Sequence, residues 1–290
     1  MSGATAPPLA VLGAGSLART LLAGWRRAGV RFGSLTTVSR TRARAAELVA
    51  PGVRALSVDD DSDAAAAAVR GARVVLVAVK PWMVAEILDR ITGALEPDAV
   101  VVSVVAGVRL RTLRAALPDS VAVVRVLPNT PSQVNRGVAG IASGSADRGS
   151  AQLVRELFEV LGEVVPVDED GLDALTVVTG SAPAFVFLFI EQLTAAMVAQ
   201  GFAPEDAARM ARQVFLGASE LLADTGEDPA ELRRRVTSPN GVTQRALAVF
   251  EERGLQQLLL DAVDAGLARA RELAGASVPT APAATEADAP

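Results

Sequence analysis

The chain has 290 residues, 50% hydrophobic and 21% charged, which predicts a globular protein with room for two domains. Its formal net charge of −5 argues against a nucleic-acid partner, which would require a basic surface. It contains no cysteine, histidine or tyrosine, which excludes disulfides, thiolate nucleophiles, Cys or His metal ligands and the usual neutral-pH proton shuttle.

Six short, almost wholly apolar runs in the first 165 or so residues predict strands buried on both faces of a parallel sheet. They alternate with Ala-, Arg- and Leu-rich segments long enough for crossover helices, the pattern of a doubly wound α/β sheet. An acidic run at residues 59–63 predicts a helix N-terminus rather than a metal site, and no metal is expected. The predicted strands are residues 9–12, 35–38, 53–56, 74–79, 99–105 and 121–126.

Beyond residue 171 the strand pattern stops and long helical patterns follow. Apolar residues surround the first two predicted helices on every side, so we expect a partner chain to cover them. The prediction is a Rossmann-type domain over residues 1–166, an all-α dimerisation and substrate domain over 167–275, and a disordered tail over 276–290. The predicted helices are residues 184–199, 204–223, 229–235, 244–253 and 255–273.

The first predicted strand runs into a Gly13-x-Gly15-x-x-Ala18 motif that opens a predicted helix, with Ser16 and Leu17 between. This context indicates dinucleotide binding. Gly13 permits a tight turn, Gly15 lets the backbone approach a pyrophosphate, and Ala18 allows the helix to pack closely on the strand.

The second strand ends at Ser39-Arg40-Thr41-Arg42, where binders of NAD usually place an acidic residue. Hydroxyls and guanidinium groups suit a 2′-phosphate instead, so NADP(H) is favoured, and NAD(H) stays possible. The alternative is that Arg40 and Arg42 are solvated residues at the start of a helix.

Other strand ends supply further candidates on the ligand side of the sheet. Lys80 is the only lysine of the chain and either faces the ligand or is an ordinary strand-end residue. Asn129 and Thr130, in a proline-stiffened loop, either donate to a nicotinamide or ribose or form a structural turn. The candidates at these ends are Val79, Lys80, Pro81, Ala106, Gly107, Asn129 and Thr130.

The stretch VTSPNGVTQ, residues 236–244, interrupts the helical half. A Pro-Asn-Gly turn precedes a new helix, whose free N–H groups and dipole suit a carboxylate. On the residues alone, Ser238 and Thr243 could equally serve only as helix caps.

Taken together, these motifs resemble those of pyrroline-5-carboxylate reductases. The resemblance spans about residues 8–275 and includes TGSAPAFVFLFIEQL at 179–193 and VTSPNGVTQRAL at 236–247, two motifs more specific than the glycine fingerprint. The family reduces the cyclic imine 1-pyrroline-5-carboxylate to L-proline with NAD(P)H. It combines a Rossmann domain with a helical dimerisation domain, and its active site is completed across the dimer.

By this resemblance, Thr243 hydrogen-bonds the ring nitrogen of the substrate, Ser238 and nearby amides hold the carboxylate, and Lys80 joins them as a catalytic candidate. A protonated imine is already activated, so hydride transfer needs positioning rather than a strong protein acid. The implied substrate-binding residues are Ser181, Pro183, Asn240, Gly241 and Val242.

Two departures leave the substrate open. Asn240 stands where the family has glycine, and Ala182 and Phe185 stand where it has glycine and tyrosine. The alternatives are a paralogue that reduces a piperideine carboxylate or a substituted pyrroline, and a non-catalytic dinucleotide sensor.

We expect a cytoplasmic homodimer, possibly assembled into larger rings, with no membrane association, since no apolar run reaches about 18–20 residues and no charged n-region precedes the N-terminal run.

Overall fold

The structure, a computed structural model, describes residues 5–144 and 146–275. Its contacts divide the chain into two compact units. The sheet unit contains the chain up to Gly180 and the last part of the final helix, after Gly266. The helical unit covers Ser181–Gly266. The predicted tail at residues 276–290 lies outside the described residues.

The sheet unit contains eight strands in the order β3-β2-β1-β4-β5-β6-β7-β8. The first six are parallel, β7 is antiparallel to β6, and β8 runs parallel to β7. This order places the topological switch between β1 and β4, where an open α/β sheet binds its ligand. The strands are β1 Leu9–Leu12, β2 Leu35–Ser39, β3 Val53–Ser57, β4 Val74–Val77, β5 Val100–Ser103, β6 Ala122–Leu127, β7 Gly137–Ala142 and β8 Gly162–Pro166.

The predicted Rossmann-type α/β architecture followed by helices is confirmed, and all six predicted strands are present with small shifts at their ends. Strands β7 and β8 were not predicted. The sequence of β7, GVAGIA, has a glycine or an alanine at four of six positions, which hides the strand pattern. Those glycines are required by packing. A Cβ on Gly140 would lie 2.4 Å from Leu175 Cδ1, and a Cβ on Gly137 would lie 2.2 Å from Ser132 Oγ.

Helices cover both faces of the sheet and enclose two apolar clusters. One cluster packs α3, α4 and α5 on the sheet, and the other packs α1 and α6 on the opposite side of the strands. In the second cluster Trp25 donates from Nε1 to Leu157 O at 2.7 Å and meets Phe32 and Phe158 edge to face. The helices are α1 Ser16–Arg27, α2 Arg42–Ala46, α3 Ala64–Val69, α4 Val84–Thr92, α5 Leu110–Ala115, α6 Arg148–Glu159 and α7 Glu169–Val178, with 3₁₀ turns at Pro81–Met83 and Thr130–Val134.

Helix α7 packs on the sheet. Leu172 is 1% exposed and forms a small apolar cluster with Leu127 and Ala142. The contact-based division of the chain therefore falls after α7, whereas the boundary predicted at residue 166 falls before it.

The remaining helices match the five predicted ones closely. Helix α9 packs along α8, and Ala207 and Ala211 on α9 are fully buried. Helix α8 has no buried residue, and its apolar side chains Val186, Phe187 and Leu188 are 45–59% exposed. These helices are α8 Ala182–Ala199, α9 Pro204–Thr225, α10 Pro229–Arg235, α11 Val242–Glu252 and α12 Leu255–Gly275.

One segment of the described chain, Glu169–Ala199, contains an 18-residue stretch whose mean hydropathy, 1.7, is that of a membrane span. By hydropathy, the expectation that no apolar run reaches about 18–20 residues is therefore wrong. Within the segment a turn at residues 179–181 separates α7 from α8, and α7 carries three carboxylates in its first five residues. Length and hydropathy are shared by the core helices of soluble proteins, so they do not identify a membrane segment here.

Helix α1 lies unusually close to the turn at Thr130–Val134, which makes Gly24 a test of the packing. A Cβ there would lie 2.2 Å from Ser132 O and 2.7 Å from Leu161 Cδ2. We expect Gly24→Ala to lower the free energy of unfolding by about 1–3 kcal/mol through overpacking. Gly93→Ala is the matched control because a Cβ at the end of α4 meets nothing within 4 Å. Urea denaturation of both variants checks this, and equal stabilities would contradict the described packing.

Candidate active site

The turn after β1 requires glycine at its first position. Gly13 has φ +89°, and a Cβ there would lie 2.8 Å from Val79 Cγ1 and 2.9 Å from the backbone of Ala78. Its N–H donates to Val38 O at 3.0 Å, which fixes the turn against β2 as well. Gly13 is therefore held by both neighbours of β1, and only a residue without a side chain fits.

Gly15 has a different role, because a Cβ there would meet nothing within 4 Å. It precedes α1 with φ −77°, and the first intrahelical bond runs from Arg19 N–H to Gly15 O at 3.0 Å. The amides of Ser16, Leu17 and Ala18 are thus left without intrahelical acceptors and lie at the positive end of the helix dipole. Open space beside free amides fits a pyrophosphate, as the sequence predicted.

The other predicted cofactor residues converge on the same edge. Strands β1, β2, β4, β5 and β6 are parallel, so their carboxyl ends meet along one side of the sheet. The position of these strand ends at one edge is what the predicted parallel sheet implies. This edge collects Ser39, Arg40, Val79, Lys80, Pro81, Ala106, Gly107, Asn129 and Thr130.

The two candidate arginines after β2 differ in their contacts. Arg42 donates from Nε to Asp60 Oδ1 at 2.7 Å, and this hydrogen bond lowers the pKa of Asp60. Arg40 is exposed, and its described contact is a long one, 3.7 Å from Nη2 to Met83 Sδ. Arg40 is therefore the guanidinium that can turn to a ligand. Ser39 beside it is 3% exposed, and its Oγ has no hydrogen-bond partner among the described residues.

The single lysine is exposed at the carboxyl end of β4. Lys80 immediately precedes the 3₁₀ turn that starts at Pro81, and no carboxylate of the described chain pairs with it. Val79 packs its side chain into the core beneath. The position gives one positive charge on the ligand side of the sheet, next to the glycine turn.

Asn129 has a structural role that the sequence did not indicate. Its Nδ2 donates to Thr179 O at 3.0 Å, and its Oδ1 accepts from Val138 N–H at 2.9 Å. The side chain, 8% exposed, thereby ties the end of α7 to β7. Its expected role as a donor to the nicotinamide or ribose stays a prediction, as does that of Thr130, which is exposed at the same edge.

The turn at residues 236–244 lies in the helical unit. Gly241 N–H donates to Ser238 O at 3.0 Å, and Arg245 N–H makes the first intrahelical bond of α11, to Gly241 O. The amides of Val242 and Thr243 precede that bond and are free. A Cβ on Gly241 would lie 2.2 Å from Ser238 Oγ, so glycine is needed for this hydroxyl to fold over the turn.

The helix-cap alternative for Ser238 and Thr243 is wrong. Gly241 is the cap of α11 and receives no side-chain bond, and neither hydroxyl has a hydrogen-bond partner in the parts of the chain described. Both side chains are exposed. Two unpaired hydroxyls and free amides thus cluster at one helix start.

Asn240 adopts the left-handed backbone that the turn requires, with φ +56°. Its N–H donates to Gln244 Oε1 at 2.6 Å, which locks the turn onto the helix that follows. Asparagine tolerates this conformation better than most residues, so the replacement of glycine leaves the turn intact. Ser181 and Pro183 lie at the start of α8, in the same unit.

An ion-pair network of Arg109, Arg125, Glu169, Asp170 and Asp173 was not predicted. Arg125 on β6 is 3% exposed and donates to Glu169 Oε1 at 2.7 Å. Arg109 donates to Asp170 Oδ1 at 2.7 Å and to Asp173 Oδ2 at 3.1 Å, and the Asp170 bond raises the pKa of Arg109. The only sequence signal was the acidic start of α7, because its partners lie 44–64 positions away.

Two family models match the chain. The one described as pyrroline-5-carboxylate reductase dimerisation matches residues 169–273, and the one described as NADP oxidoreductase, coenzyme F420-dependent, matches residues 8–107. The first covers the helical unit with α7, and the second covers the β1–β5 half of the sheet.

Relatives match over nearly the whole chain. A pyrroline-5-carboxylate reductase from Pseudomonas aeruginosa is 34% identical over 270 residues, 92% of this chain and 97% of the relative. One from Corynebacterium melassecola is 34% identical over 91% of this chain and 98% of its own.

Solved structures show the same fold. A pyrroline-5-carboxylate reductase from Coxiella burnetii is 28% identical with a TM-score of 0.82, covering 91% of this chain and 97% of its own. The Plasmodium falciparum pyrroline carboxylate reductase with NADP bound is 22% identical with a TM-score of 0.77, covering 92% and 98%, and at that identity it shows the fold alone.

Substitution of the two glycines in the turn after β1 should affect different properties, folding at Gly13 and ligand binding at Gly15. We expect Gly15→Ala to leave the melting temperature unchanged but to weaken dinucleotide binding about tenfold or more, because its methyl enters the space of the pyrophosphate. Gly13→Ala should lower the melting temperature, since the backbone at φ +89° and the contact with Ala78 both oppose a side chain. Thermal unfolding and fluorescence titration check this. A Gly15→Ala protein that binds normally would contradict the assignment.

Proposed function

The chain belongs to the pyrroline-5-carboxylate reductase family, and from this premise we propose that it reduces 1-pyrroline-5-carboxylate to L-proline with NADPH. The observation that carries the proposal is the turn before α11, where the hydroxyls of Ser238 and Thr243 and the first amides of the helix are all unpaired. A small substrate with a carboxylate and a ring nitrogen can pair with these groups.

The residues of the sheet edge fit NADP(H). Free amides after Gly15 suit its pyrophosphate, and Arg40 supplies an exposed guanidinium for its 2′-phosphate. The unpaired Oγ of Ser39 is costly as it stands, and a ribose or phosphate oxygen at this edge would satisfy it. When bound, this cofactor supplies the hydride.

The helix start after Gly241 binds and orients the substrate in this proposal. The amides of Val242 and Thr243, with the α11 dipole behind them, hold the carboxylate together with Ser238 Oγ. Thr243 Oγ1 bonds the ring nitrogen and thereby fixes which carbon is presented for reduction. Asn240 N–H is already occupied by Gln244 and takes no part.

The chain needs no strong acid for this reaction. A cyclic imine that is protonated in solution already carries the positive charge that attracts hydride, so the protein has only to position and desolvate it. The absence of histidine, tyrosine and cysteine from all 290 residues fits this chemistry. A reductase of ketones would need a protein proton donor instead.

The active form is a homodimer. The matched region is a dimerisation domain, and α8 exposes a continuous apolar surface that a second copy would cover. The exposed side chains include Phe187, 59% exposed, and Leu188, 53% exposed. Larger rings of dimers and a cytoplasmic location stay predictions from the sequence.

The Thr243 hydroxyl gives a direct test. We expect Thr243→Val to retain NADPH affinity and to lower kcat/KM about tenfold or more, because a bond to the ring nitrogen is lost at constant side-chain shape. Thr243→Ser should recover most of the activity. Thr225→Val is the control, since that hydroxyl donates within α9 to Leu221 O at 2.9 Å. Unchanged kcat/KM in Thr243→Val would remove this residue from the site.

Cofactor preference tests Arg40. We expect Arg40→Ala to weaken NADPH by about 10- to 100-fold and NADH by much less, because only NADPH carries the 2′-phosphate. Arg42→Ala is the matched control, since Asp60 already neutralises that guanidinium. Titration of both variants with both cofactors checks this. Equal losses for NADPH and NADH would contradict the assignment of Arg40.

A further inference from the structure

The α7 ion-pair network joins three segments that each lead directly into the sheet edge or the substrate motif. Arg109 follows Gly107 by two residues, and Arg125 lies on β6, which ends two residues before Asn129. Helix α7 itself ends at Val178, three residues before Ser181. Within the sheet unit, the network therefore connects the segments that lead into the loop at residues 106–108 and into Asn129 with the helix that precedes Ser181 in the sequence.

Its bonds hold the start of α7 at several points. Glu169 Oε1 accepts from Arg125 Nη1 at 2.7 Å and also from Leu110 N–H, the first amide of α5. Arg109 spans Asp170 and Asp173, so its two terminal nitrogens bind carboxylates on successive turns of α7. The loop at residues 106–108 is thus attached to α7 through the residue that follows it.

The far end of α7 is held by Asn129, which donates to Thr179 O at 3.0 Å. Helix α7 is therefore fixed at both ends to the strands and loops of the carboxyl edge. Gly180, which follows α7, continues this packing, since a Cβ there would lie 2.4 Å from Thr176 O.

Stability alone does not explain the network. Burying Arg125 at 3% exposure carries a desolvation cost that apolar residues of similar size would avoid, and such replacements are often neutral or stabilising. Arg109 is 35% exposed, and exposed pairs contribute little to folding. Hydrogen bonds between charged groups are directional, unlike apolar contacts. They can therefore fix the orientation of one segment of the chain relative to another.

We propose that Arg109 is a positioning residue for hydride transfer. By spanning Asp170 and Asp173, it holds the loop at residues 106–108, which carries the cofactor candidates Ala106 and Gly107, at a set distance from α7 and so fixes that part of the cofactor edge. This inference rests on the proposed function and names a residue for it that is not among those assigned to cofactor or substrate binding. Displacement of reacting groups by about 1 Å can cost about a hundredfold in rate.

Arg109→Ala tests the proposal in the full-length protein. We expect kcat to fall about tenfold or more, with KM for NADPH changed by less than about threefold, because cofactor affinity comes mainly from the glycine turn and Arg40. Arg109→Lys should recover only part of kcat, since one ammonium cannot span two carboxylates. The control is Arg155→Ala, which breaks an exposed pair with Glu159 on α6 and should leave kcat unchanged.

A second variant separates positioning from folding. Asp170→Asn removes a carboxylate that, among the described residues, pairs with Arg109 alone, and the double variant with Arg109→Ala should lose no more activity than Arg109→Ala alone. Melting temperatures are measured on every variant, and a kcat loss that only follows the unfolded fraction would overturn the proposal. So would an Arg109→Ala protein as active as Arg155→Ala. A wild-type protein without turnover would overturn the proposed function itself, which distinguishes the two failures.

Discussion

The close approach of Gly13 to the β4 end is the contact on which the cofactor edge depends. With its Cα against Ala78 and Val79, β1 can end at the switch point and turn directly into α1. That turn places free amides beside the open space at Gly15. The parallel neighbours then bring Arg40, Lys80 and the loop at residues 106–108 to the same edge, without any further special geometry.

The chemistry fits a protein that acts by positioning its ligands rather than by transferring protons. The chain contains no histidine or cysteine, so charge is handled by helix starts, arginines and hydroxyls. The residues proposed for the cofactor lie in the sheet unit, and those proposed for the substrate, at the start of α11, lie in the helical unit. Glycines and unpaired amides organise each set locally. The α7 network adds directional bonds that apolar packing would not provide.

Much of this could be predicted from sequence because its signals are local. The six apolar runs predicted strands, and the spacing of Gly13, Gly15 and Ala18 predicted the turn after β1. Strand β7 was missed because close packing replaced β-branched residues with glycine. The engaged side chain of Asn129 and the Arg109 pairs were missed because their partners are 9 to 64 positions away, which local patterns do not reveal.

The most direct test of the account is a substrate panel with purified protein and both cofactors. The account predicts oxidation of NADPH in step with L-proline formation, and a kcat/KM for 1-pyrroline-5-carboxylate above that for a six-membered piperideine carboxylate. A preference of about tenfold for the six-membered ring, about 1.4 kcal/mol of transition-state binding, would contradict the assigned substrate. Binding of NADPH without turnover of any cyclic imine would contradict catalysis altogether.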